Sequence, residues 1–267
     1  MLTVFWTTIK DRKVSLIIYS LAATLFVWMY VAMFPAIQEQ SAVWIAALES
    51  FPEALFEAFG IEDFNMSTIE RFLAIEHFSL VWPIMAILLL VSIAGRGLAG
   101  QIEQGTAELL LSRPVSRLRI FGAKYLVGVF ALVVFAFVSV FSVVPLAALH
   151  GVDYIFGNHV SVAVIAVLFG WAVFSMAILF SALFAERSRV YMATGGVLLV
   201  MYVLNIAAAM KEDWDSLKFA SFFHYYDYND ALIRNTLDAT DVLVFAAVAL
   251  GCTLVGAWWF SRRDVAV

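Results

Sequence analysis

Two sets of residues have types and spacing that could do chemistry. His77, His150, His159 and His224, with Asp153 and Asp227 near some of them, are imidazoles and carboxylates of the kind that hold zinc. Gly95, Gly97 and Gly100 spell GxGxxG, a spacing that can bring backbone against a pyrophosphate. Neither set completes its pattern. No HExxH or similar ligand spacing occurs, so the histidines read as scattered residues of an outer interface. The glycines follow an apolar helical run instead of a strand, and no acidic residue lies about 20 positions on, so dinucleotide binding is set aside. The chain also lacks GxxxxGKS/T, so any ATP that drives it must be bound by another subunit. No catalytic, cofactor-binding or metal-ligating residue is therefore assigned.

The elements that would position chemistry here are membrane helices. Hydrophobic residues make up 64% of the chain, charged residues 14%, and the mean hydropathy is +0.94, all far from globular usage. Six apolar runs, at about 14–34, 78–97, 121–149, 160–184, 190–210 and 242–260, each reach the roughly 20 residues that span a hydrocarbon core. The expectation is an all-α integral membrane protein forming a single domain over 1–267, with no signal peptide. The lone Cys252 lies mid-span, which excludes an intramolecular disulfide.

Orientation follows from the basic residues. Lys10, Arg12, Lys13, Arg96, Arg113, Arg117, Arg119, Lys124, Arg187, Arg189, Arg262 and Arg263 fall on one side, against Arg71, Lys211, Lys218 and Arg234 on the other. Both termini are thus expected in the cytoplasm. The acidic residues gather outside, and the net charge of −5 argues against nucleic acid as a partner.

Local signals sketch the remaining elements. Leu2, Phe5, Trp6 and Ile9, followed by Lys10, Arg12 and Lys13, suggest an N-terminal helix lying in the interface. In the first outer loop Ser50 and Glu53 form a capping box, Phe51, Leu55, Phe56 and Phe59 an apolar face, and Gly60 a stop. Ser67 and Glu70 form a second box, starting a helix that runs into the second span. Phe219, Phe222, Phe223, Tyr225, Tyr226 and Tyr228 suit short interfacial or re-entrant helices before the last span.

The most specific segment lies between spans two and three. Residues 106–112 favour helix, with Glu103 and Glu108 towards its start and Arg113 at its end, as the helix dipole prefers. Pro114 stops it, and Ser116 is placed to cap the next helix, whose first turns carry Arg117, Arg119 and Lys124. The run EQGTAELLLSRPVSR, with Lys124 downstream, resembles the signature of permease subunits of prokaryotic type-2 ATP-binding cassette (ABC) exporters. The matching positions are Glu103, Gly105, Thr106, Glu108, Leu109, Leu110, Pro114, Ser116, Arg117 and Lys124. The six spans and the closing Arg-Arg-Asp at 262–264 are similar too, while Gln101 and Ile102 stand where acidic residues are common.

The resemblance implies a six-helix permease with a cytoplasmic coupling helix at roughly 101–113, pairing with a second permease chain as homo- or heterodimer and with two ATPase subunits that bind ATP and Mg. It further implies residence in the inner (plasma) membrane, surrounded by membrane lipid, and export of a hydrophobic or amphipathic cargo such as a drug, antibiotic, lipid or peptide. Ser175, Thr194, Tyr202 and Asn205 are the polar residues that could line a route, with packing as their other role. The competing hypotheses are an ion-coupled transporter and an outer-face metal enzyme. Ion coupling normally uses a charge facing a cavity within the bilayer, and none sits at the centre of any run.

Overall fold

The computed structural model describes residues 2–40, 66–106 and 115–263. The expected outer helix at 50–60 and most of the expected coupling helix, including Glu108, Leu109, Leu110 and Pro114, lie outside these residues. Among the described residues every regular element is helical. The long ones are α1 (Leu2–Glu39), α3 (Val81–Gly95), α5 (Arg117–Phe141), α7 (Phe156–Leu183), α8 (Arg187–Met210) and α10 (Ala239–Arg262). Shorter ones are α2 (Ile69–Phe78), α4 (Ala99–Glu103), α6 (Val143–His150) and α9 (Phe222–Tyr225). A 3-10 helix at Glu212–Ala220 and a π turn at Asp230–Arg234 complete the link between α8 and α10. Among the described residues five helices, counting α5 and α6 as one, are long and apolar enough to cross a membrane, or six if the bent pair α2–α3 is one span. The chain is thus of the all-helical, multi-pass membrane class.

Three expectations change. The N-terminal interfacial helix is not a separate element, because α1 is one unbroken helix of 38 residues. Residues 10–14, Lys-Asp-Arg-Lys-Val, contain no glycine or proline to interrupt the backbone ladder. The helix entering the second span is capped by Thr68, not Ser67: the Thr68 hydroxyl accepts from Arg71 N at 3.4 Å. It does not run straight on, since α2 and α3 meet at 45°. Pro83, in the first turn of α3, has no N–H to give the Ser79 carbonyl, and the chain before it closes instead as a π turn through Ser79 N to Ala74 O.

The third concerns the aromatic segment before α10, which forms short helices as expected but turns three of its rings inward. Phe222, Tyr226 and Tyr228 are buried in the bundle, while Phe219 stays exposed as an interfacial ring would. Tyr226 stacks on Trp82 and packs at a tilt against Phe169, at ring centroid distances of 6.2 and 4.8 Å.

At the centre stands α7, packed against α3, α5, α8 and α10. Lipid tails are as apolar as leucine, so helices in a bilayer associate through close packing and interhelical hydrogen bonds. Glycine supplies the closeness: a Cβ on Gly128 of α5 would lie 1.9 Å from the Phe174 ring of α7. Hydrogen bonds supply the rest. Trp82 Nε1 donates to Ser139 Oγ at 2.9 Å, joining α3 to α5.

A candidate coupling site at the basic end

The turn after α3 is shaped by what packs on it. A Cβ on Gly95 would meet the Tyr191 ring at 2.2 Å, and one on Gly100 the Arg187 stem at 3.0 Å. The GxGxxG glycines therefore have a packing role, and they follow a helix. Five-residue α4 begins here with its first amides bonded to another helix: Leu98 N and Ala99 N both donate to Ser181 Oγ of α7, at 3.2 and 3.0 Å. Ser181 is wholly buried. A serine deep in the sequence of a distant span thus does the work of a helix cap.

The Glu-Gln-Gly-Thr run ends α4. Gly105 is left-handed, with φ of 68°, and its N–H bonds the Ile102 carbonyl at 3.0 Å. Thr106 Oγ1 then donates to the Gln101 carbonyl at 3.2 Å, answering another free acceptor of the last turn. This corrects the expected helix at 101–113. A left-handed glycine closes one helix at Glu103, so Glu103 sits at the end of α4 and not at the start of a longer helix.

Glu103 faces α8. Its Oε2 accepts from Arg187 N at 3.1 Å and from Arg187 Nε at 2.7 Å. Arg187 is the first residue of α8, so the carboxylate answers a free amide at a positive helix end as well as a guanidinium. These bonds from Arg187 hold the Glu103 carboxyl below the usual carboxylate range.

Lys124 faces α1 and α4. Only 6% exposed, it donates from Nζ to Thr8 Oγ1 of α1 at 2.9 Å. The Gln101 amide, oriented so that both its atoms are satisfied, accepts from Lys124 Nζ at 2.9 Å and donates to the Gly97 carbonyl at 3.3 Å. A buried ammonium left without acceptors would be expensive, and these two oxygens meet that need. Gln101 is one of the positions that depart from the resembled pattern. Arg12 adds a bond to the Arg96 carbonyl at 3.4 Å.

Of the predicted coupling residues, Glu103, Gly105, Thr106 and Lys124 come together around α4. Ser116 caps α5, its hydroxyl accepting from Arg119 N at 3.4 Å. Arg117 turns instead to the end of the chain, donating to the Arg263 carbonyl, while Arg263 donates to the carbonyls of Ala182 and Phe184 at 2.8 and 3.0 Å. Sequence reasoning missed Thr8, Gln101, Ser181 and Arg187 as partners. Arg187 carried a signal, a cation just ahead of an apolar run; the others did not.

The four polar residues proposed for a route divide. Ser175 and Thr194 are wholly buried: Ser175 bonds Tyr125 at 3.0 Å, and Thr194 Oγ1 donates to the Val190 carbonyl at 2.8 Å. Tyr202 and Asn205 are half-buried on α8, with Tyr202 edge-on to Phe223.

Two of the four histidines are shut away from solvent. His77 and His159 are wholly buried, His77 at the bend between α2 and α3. Among the described residues no group of three or more His, Cys, Asp or Glu side chains is placed to hold a metal ion.

A search of curated proteins returned no match. A family model described as "Protein of unknown function (DUF2705)" matches residues 28–266, and the chain belongs to that family.

Proposed function

We propose that this chain is the membrane-spanning permease subunit of an ABC exporter, moving a hydrophobic or amphipathic cargo out of the cell on ATP hydrolysed by a separate subunit. In this reading α2–α3 is the second of six spans, and both termini and the α4 region face the cytoplasm of a prokaryotic cell in its inner membrane. The functional unit is two permease chains with two ATPase subunits.

The observation that supports it best is how α4 is held. One short helix is tied to α7 through Ser181, to α8 through Glu103 and Arg187, and to α5 and α1 through Gln101 and Lys124. The segment beginning at Gly105 would bear on the ATPase, and its displacement would reach four spans through bonds that already exist. A loop that only fixed topology would need the arginines but not these links.

Affinity purification in mild detergent, with mass spectrometry and stoichiometry, tests it. A P-loop ATPase at one copy per permease chain is the expected result, and Glu108→Arg should reduce its recovery without loss of membrane insertion. A chain that purifies alone as a stable oligomer would overturn the proposal.

A second reading, ion-coupled transport, draws on His77. The side chain is wholly buried, and neither ring nitrogen has a hydrogen-bond partner among the described residues. Uptake or export that follows a proton or sodium gradient in vesicles free of ATP would favour it.

A further inference from the structure

At the opposite, acidic end, the last turns of α1, the start of α2 and the α6–α7 connection enclose a cleft of about 490 Å³. That volume lies within the 300–1,000 Å³ typical of small-molecule sites. Its wall is mixed. Phe34, Ile69, Val152 and Tyr154 give apolar surface, while the described lining includes the carboxylates Glu70 and Asp153 and no lysine or arginine.

Glu70 is 4% exposed, yet it is the polar centre of this wall. Its Oε1 accepts from Ile155 N at 2.7 Å, so it does across the bundle what a capping-box glutamate does within one helix. The positive helix ends at the cleft are therefore already answered, α7 by Glu70 and α2 by Thr68. Of the negative ends, α6 finishes at His150, the one basic side chain in the described lining, and closes with Val152 N donating to the Ala147 carbonyl at 3.0 Å, while α1 finishes at Glu39 with no cation from the described lining beside it. Asp153 is exposed at the mouth. Two carboxylates against a single imidazole, the carbonyl end of α1, and an apolar wall that includes the rings of Phe34 and Tyr154 together favour positive charge carried on an apolar body.

The geometry points to a binding site for a small organic cation, an amine with an aromatic or aliphatic body, in the cleft between Glu70 and Asp153. This assignment stands apart from the exporter proposal and needs no ATPase. Equilibrium dialysis of labelled phenethylamine against the full chain in detergent tests it, with 2-phenylethanol as the uncharged counterpart that reports partition into micelles. Saturable binding of the amine and none of the alcohol is expected. Glu70→Gln keeps an oxygen to accept from Ile155 N and removes only the charge; Asp153→Asn changes an exposed residue. Each should weaken amine binding by about tenfold or more. Equal uptake of amine and alcohol, or wild-type affinity in Asp153→Asn together with Glu70→Gln, would overturn the site. Should Glu70→Gln fail to fold, Asp153→Asn alone decides.

Discussion

At the basic end of the bundle the helices are joined by discrete polar bonds, buried at Ser181 and Lys124 and partly exposed at Glu103, and at the acidic end by a continuous body of aromatic rings. Around α4 the polar bonds between helices come from a few side chains: Ser181, Glu103, Gln101 and Lys124. Around Trp82 the rings of Phe78, Phe135 and Tyr226 all lie within 6.5 Å, and the indole is wholly buried. Discrete bonds can break one at a time and re-form elsewhere. A packed aromatic body moves as a unit or not at all. The contrast suits a molecule whose basic-end contacts can re-form one at a time while the aromatic body around Trp82 keeps its packing.

The contrast can be broken most forcefully at the aromatic end. Trp82→Ala should destabilise the bundle by about 3–5 kcal/mol through loss of packing and the cavity left behind, seen as a large fall in the melting temperature in detergent. A loss of under about 1 kcal/mol would mean that the rings do not bear the load assigned to them. At the basic end Lys124→Met should cost less, about 1–3 kcal/mol, since it strips one partner from Thr8 and from Gln101.

Smallest is the effect at Glu103. Its pair with Arg187 is about two-thirds covered on each side, with 35% and 34% of the side chains exposed. Because the folded carboxyl is held below the ordinary range, the link is complete above the unfolded carboxylate value and is lost as pH falls through the lowered one. Glu103→Gln should therefore leave the melting temperature nearly unchanged at neutral pH while speeding amide exchange at the first turn of α8. In the wild type the same increase, beyond the intrinsic pH effect, should appear only on acidification. Unchanged exchange in both would show that Arg187 N is protected by something other than Glu103.

How much of this was legible in the sequence depended on whether the signal was local. Long apolar runs marked the spanning helices because a bilayer demands length and apolarity along the chain itself. Ser116 was readable as a cap for the same reason. Thr68 was not, because Ser67 and Thr68 both carry a suitable hydroxyl and only the backbone conformation decides between them. The bend at Ser79–Leu80 had a visible cause in Pro83, overlooked because the apolar run continues through it.

The candidate site was half legible. The sequence reading placed Glu103 towards the start of a helix, whereas the left-handed Gly105 puts it at the end of α4, and the helix expected over 106–112 falls almost wholly outside the described residues. The links from Ser181, Gln101 and Thr8 left no trace, since each joins residues more than 20 positions apart that meet only once the helices pack. Glu70 is the clearest case of a signal with two meanings. Its spacing from Ser67 is that of a local capping box, and the carboxylate instead serves a helix 85 residues away.

The unbroken first helix has a mechanical corollary. At 1.5 Å per residue its 38 residues, with Pro35 in the last turns, run about 57 Å along the helix, nearly twice the roughly 30 Å thickness of a hydrocarbon core. Turning such a helix by about 10° around its centre carries each tip about 5 Å, close to the pitch of one helical turn. Thr8, on Lys124, lies near one tip, and Gln38, bonded to the Ser67 carbonyl at 2.9 Å on the rim of the cleft, lies at the other. A single helix therefore runs from the α4 contacts to the cleft, and a tilt about its centre shifts both ends by close to one helical turn.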